Sequence, residues 1–75
     1  MSHPVYPISL LWDAEAAVWV ATSDSIPGLA LESGSLDALM ERVRHAVSEL
    51  LPLNGAPSSP YTLAFRSERL EVVGA

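Results

Sequence analysis

The residues able to do chemistry fall into a few small groups. Asp13 and Glu15 stand two apart and offer two carboxylates for a hard divalent cation or for acid–base work. They lie between two apolar runs, where a turn is expected, and two ligands without a third make a poor metal site. Solvated acids are the better reading. Thr22-Ser23-Asp24-Ser25 gathers three hydroxyls around a carboxylate, but no histidine lies near in sequence to activate a nucleophile. Asp24 reads as a turn residue accepting backbone amides. His45 has Glu41 four residues before it and Glu49 four after, an arrangement that pairs with the protonated ring on a helix. It also lies two residues beyond Val43, on the polar side of an amphipathic segment, and a general base or ligand needs shelter and an orienting partner. His3 sits close to the terminus. Trp12 and Trp19 could stack on a base or a ligand, although paired indoles on an apolar hairpin more often fill a core or a subunit contact.

Composition narrows the field. The chain has 75 residues, nine acids and four bases, and a formal charge of -5. All four bases are arginines: Arg42, Arg44, Arg66 and Arg69. Against that excess of acid they make a weak case for nucleic acid, whose binders need cations to displace counterions. Direct nucleic-acid binding is not expected. Without cysteine there is no disulfide scaffold, no thiolate metal site and no thiol nucleophile. No phosphate-cradling glycine loop, zincin pattern or nucleophile elbow is present. The sequence therefore predicts no catalytic residues, no cofactor and no metal. No segment has the roughly 18 apolar residues of a membrane span, and Met1-Ser2-His3-Pro4 lacks a basic, then apolar, leader. A cytoplasmic protein with no membrane partner is expected.

These side chains would be positioned by one small α+β domain spanning residues 1–75. Tyr6, Ile8, Leu10 and Trp12 alternate in a first strand over 5–12, with Pro7 placing its start at a sheet edge. Asp13-Ala14-Glu15-Ala16 would connect it to a second strand over 17–23. Placing Trp12 opposite Ala17 puts both tryptophans on one face; a one-residue slip would separate them. Ile26-Pro27-Gly28-Leu29 has the form of a type II turn, with glycine supplying a positive φ. A short strand over 29–32 follows. Ser35 then caps a helix over 36–51, with Asp37 at its positive end. Leu36, Leu39, Met40, Val43, Val47, Leu50 and Leu51 form its apolar stripe, and Pro52 with Asn54-Gly55 would end it. Ala56 to Pro60 reads as a loop. A fourth strand is predicted over 61–66 and a fifth over 70–73.

The β-β-β-α-β order predicts an antiparallel sheet of three to five strands with the helix on one face. One helix covers one face, so Trp, Leu and Val side chains on the other would stay exposed, the usual mark of an interface. A chain this short also buries only about 60% of its unfolded surface. With no disulfide or metal to staple it, association is the remaining device, and a homo-oligomer is expected.

The run Trp12-Asp13-Ala14-Glu15, Val18-Trp19-Val20-Ala21-Thr22-Ser23-Asp24-Ser25 and Pro27-Gly28-Leu29, followed by Ser35-Leu36-Asp37, resembles the HicB-like antitoxin superfamily, and within it a short bacterial branch of undefined function. The resemblance is good over about residues 5–51 and looser beyond. It implies a β-β-β-α-β domain similar to part of an RNase H-like or double-stranded-RNA-binding-like fold. It also implies a non-catalytic partner for a small basic HicA-like toxin, a ribonuclease that acts on mRNA. Many HicB proteins carry a C-terminal DNA-binding module; too few residues follow Pro60 for one here. The candidate interface residues are Trp12, Trp19, Pro27, Gly28 and Leu29. The alternative is a stand-alone homo-oligomer without a toxin, its self-contact on the uncovered sheet face or a free edge.

Overall fold

The computed structural model describes residues 3–56 and 59–74, so Met1, Ser2 and Ala75, and Pro57 and Ser58 of the expected loop, lie outside the described residues. The elements are β1 (Val5–Asp13), β2 (Val18–Thr22), β3 (Ala30–Ser33), α1 (Leu36–Leu53) and β4 (Thr62–Glu68). They form the expected α+β fold in β-β-β-α-β order, with one four-stranded sheet ordered β3-β2-β1-β4.

The sheet is mixed rather than antiparallel. β2 pairs antiparallel with β1 and β3, but β4 lies parallel to β1, with Val5 beside Thr62 and Leu11 beside Glu68. Chain reversals explain this. β3 ends near the β1–β2 hairpin, where a Cβ on Gly34 would lie 3.9 Å from the Ala17 carbonyl oxygen. The helix then returns to the other end, where Asn54 Nδ2 donates to the Pro27 carbonyl at 3.2 Å. β4 must therefore start where β1 starts and run the same way. Such a parallel pairing needs a long crossover, which α1 supplies.

Local chemistry sets the boundaries. The hairpin register is two residues away from the expected one: Trp12 faces Trp19 and Asp13 faces Val18, so the connection is Ala14–Ala17. Asp13 Oδ1 accepts the amides of Glu15 and Ala16 at 3.1 and 3.2 Å, and Ala17 closes the turn at φ 55°. The Pro-Gly turn is as predicted: Leu29 N–H donates to the Ile26 carbonyl at 3.2 Å and Gly28 has φ 90°. Ser35 Oγ accepts from Ala38 N–H at 3.3 Å, capping the helix. At the other end Pro52 lies within the last turn and does not stop it. The stop comes at Gly55, with φ 80°: its amide donates to the Pro52 carbonyl and that of Ala56 to Leu51, the paired bonds of a Schellman motif.

The helix buries Leu39, Val43, Val47 and Leu51 against Ile8, Leu10, Ala21, Ile26 and Leu29. The fifth strand is absent: residues 69–74 pair with no strand, and Leu70, Val72 and Val73 are 80%, 103% and 90% exposed. Continuing the β1–β4 register would bring Leu70 beside Asp13, where β1 ends, so beyond that point β4 has no neighbour.

Candidate protein-interaction site

Strand alternation divides the sheet into two faces. Ile8, Leu10, Trp12, Trp19, Ala21, Leu31, Leu63 and Phe65 share the helix side, as their pairings show. Val5, Leu11, Val18, Val20 and Ala64 lie on the other side, where no described element covers them. Val5 is 58% and Leu11 49% exposed, whereas Ile8 and Leu10 on the covered side are closed to solvent. The open face has an apolar centre with acidic flanks, and Arg66 lies on the same face beside Ser9. A row across all four strands runs Glu32, Val20, Leu11, Glu68, because Val20 pairs with both Glu32 and Leu11, and Leu11 with Glu68. Adjacent strands are about 4.8 Å apart, so two apolar side chains are bracketed by two carboxylates. Asp13 extends the acidic margin beside Val18.

The tryptophans lie elsewhere. Trp12 and Trp19 stand at the hairpin end on the helix side, half buried, with ring centroids 5.5 Å apart. The Arg69 guanidinium lies 4.1 Å over Trp12 and bonds Glu71 at 2.8 Å. Trp19 packs on the core. Pro27, Gly28 and Leu29 sit at the opposite end, against the helix C-terminus: a Cβ on Gly28 would meet Leu50 Cδ2 at 3.4 Å, and Leu29 is 5% exposed, inside the core. The fold thus joins Trp12 to Trp19 but separates them from Pro27–Leu29. None of the five is on the uncovered face. Sequence reasoning passed over Val5, Leu11, Val18 and Val20, although the odd-numbered alternation of β1 was a usable signal.

A half-open cleft of about 470 Å³ adjoins the open face, lined in part by Ser9, Thr22, Ser23, Asp24 and Arg66. Its shape follows from Pro7. The bond from Thr62 N–H to the Pro4 carbonyl aims Pro4, Tyr6 and Ile8 at β4 and turns Pro7 towards the side where β2 has already ended. There the missing amide costs no ladder bond, and the Pro7 carbonyl accepts the Ser23 hydroxyl at 2.7 Å. Ser23 Oγ in turn accepts from Ser25 N–H at 3.2 Å. Asp24 therefore rides on a rim braced by serine, and among the described residues its carboxylate accepts no backbone amide. His45 is exposed on the helix and does not line the cleft.

All nine acids are exposed. Among the described residues the one ion pair is Arg69–Glu71, which leaves the other eight carboxylates unpaired. The other three arginines form no ion pair among the described residues: Arg42 Nη1 donates to the Glu32 carbonyl at 2.8 Å, Arg44 lies 5.7 Å from the Phe65 ring centroid, and Arg66 lines the cleft. Among the described residues no group of three His, Cys, Asp or Glu is placed to hold a metal, and no helix is long and apolar enough to cross a membrane.

No curated protein matches the chain. A solved structure does: a hypothetical protein of the extremely thermophilic bacterium Thermus thermophilus, 37% identical, with a TM-score of 0.71 over 95% of this chain and 99% of that one. A family model described as a domain of unknown function, DUF1902, matches residues 5–73. The motif run and the mixed-sheet fold both lie inside that span, and the chain belongs to the DUF1902 family.

Proposed function

We propose that the protein is a non-catalytic, HicB-like protein-binding domain that acts in the cytoplasm as an antitoxin-like partner, masking a small basic ribonuclease. The observation that carries this reading is the open sheet face, where Leu11 and Val20 form an apolar centre bracketed by unpaired Glu32 and Glu68. Contiguous uncovered apolar surface on a small domain marks an interaction site. Its acidic margin and the net charge of -5 favour a basic partner by steering encounter and rejecting acidic competitors. The resemblance of the Trp12–Leu29 run to HicB-like antitoxins supplies the partner's class. The helix side is occupied by the protein's own core, so a partner has the open face and the sheet edges to use.

Co-expression with the product of the neighbouring open reading frame tests the proposal. A small basic protein should co-purify with the chain and lose its toxicity. Failure of any such protein to co-purify or be neutralised contradicts it.

A further inference from the structure

The two edges of the sheet differ. β3 offers four residues, and the Glu32 carbonyl on it is already taken by Arg42. β4 offers seven residues with no proline, and its two charges, Arg66 and Glu68, are of opposite sign. Because Thr62 turns its amide to β1, the alternation directs the backbone groups of Leu63, Phe65 and Ser67 outward, where the described residues give them no strand partner. Leu63 and Phe65 beside this edge pack on the rim of the core and are only half buried. Past β4, residues 69–74 run on as unpaired chain carrying exposed Leu70, Val72 and Val73. The Cα radius of gyration is 14.0 Å, against about 11 Å for a compact domain of this length. The family match extends to residue 73, so this segment belongs to the domain.

We infer that the β4 edge and the segment after it pair antiparallel with the same strand of a second copy, with Ser67 on the twofold axis. Self-complementarity selects the register. Arg66 and Glu68 point to the open face one place either side of Ser67, so this register sets each Arg66 opposite the partner copy's Glu68, twice by symmetry. Centring on Arg66 or Glu68 instead would oppose like charges, which destabilises a strand pair. Ser67 is also an outward-facing residue, as a hydrogen-bonded pair on the axis requires. The same register lays Leu70 against Ala64 and Val72 against Thr62 on one face, and Val73 against Tyr61 on the other. The segment read from sequence as a fifth strand thus gains a partner across the dimer, and the two sheets become one of eight strands. This contact needs no toxin to form, although it engages Glu68 of the acidic margin and leaves Glu32 and Asp13 free for a basic partner.

Light scattering on the full chain alone should give twice the 8.0 kDa chain mass. Arg66→Glu and Glu68→Arg, each by itself, oppose like charges twice and should weaken the dimer roughly tenfold or more. An equimolar mixture of the two variants restores both pairs and should recover the dimer as a heterodimer, which also shows that both variants fold. A monomeric wild type at hundreds of micromolar overturns the inference. So does a dimer that neither substitution weakens, or a mixture no more associated than its components.

Discussion

Trp12 and Trp19 face one another across the β1–β2 pair, their ring centroids 5.5 Å apart at an interplanar angle of 60°, with the Arg69 guanidinium 4.1 Å over the first ring. The hairpin, the end of β4 and the chain beyond it are thereby tied together on the helix side. The stack belongs to the domain's own architecture and leaves the opposite face free.

Removing parts of this stack should have graded effects. Trp12→Ala loses an aromatic pair and a half-buried ring and should cost about 2 kcal/mol. Arg69→Ala removes an exposed cation–π contact and the exposed ion pair with Glu71 and should cost about 1 kcal/mol or less. Urea unfolding measures both, and near-ultraviolet circular dichroism should lose the coupled-indole signal in the first variant and keep it in the second.

The two faces of the sheet should respond differently to the same truncation. Leu39 is fully buried, and Leu39→Ala should cost about 2–5 kcal/mol through lost burial and the cavity left. Leu11 is 49% exposed, and Leu11→Ala should cost about 1 kcal/mol or less. Equal losses in thermal unfolding would mean that the open face is covered in the isolated protein.

Two positive-φ sites should move stability in opposite directions. Ala17 holds φ 55° in the hairpin turn, so Ala17→Gly should stabilise by about 1 kcal/mol. Gly55 holds φ 80° with nothing within 4 Å of where a Cβ would stand, so Gly55→Ala should cost about 1 kcal/mol through the backbone alone. Gly55→Asn should lose less than alanine, since asparagine tolerates that region. Chemical denaturation of the three variants checks the signs.

The helix was the most legible element because its signals are local and agree. Ser35 caps it, the Leu36–Leu51 stripe repeats at helical spacing, and Gly28 marks the turn that its C-terminus packs on. What was not legible depends on who sits beside whom. A period of two places Tyr61, Leu63 and Phe65 on one face but says nothing about which strand lies next to β4. Its parallel pairing with β1 follows from the length and return direction of α1. The two-residue difference at the hairpin has a similar origin: alanine carries no signal for the left-handed conformation that Ala17 adopts. The candidate site suffered most. Trp12 and Trp19 are the largest apolar side chains of the hairpin, yet they share alternation with Ile8 and Leu10 on the helix side, where Trp19 packs on the core, while the smaller Leu11 and Val20 occupy the open face. Residues 70–73 have the composition of a strand but, among the described residues, no strand beside them.

The most direct test of the proposed function is capture of the neighbouring open reading frame's product by the wild type and by a Leu11→Asp, Val20→Asp double variant. Both substituted positions are on the open face, away from the packed core. If the proposed function holds, the wild type retains a small basic protein and relieves its toxicity, while the double variant, still folded by circular dichroism, loses both. A wild type that retains no basic protein, or a double variant that binds and protects as well as the wild type, would contradict it.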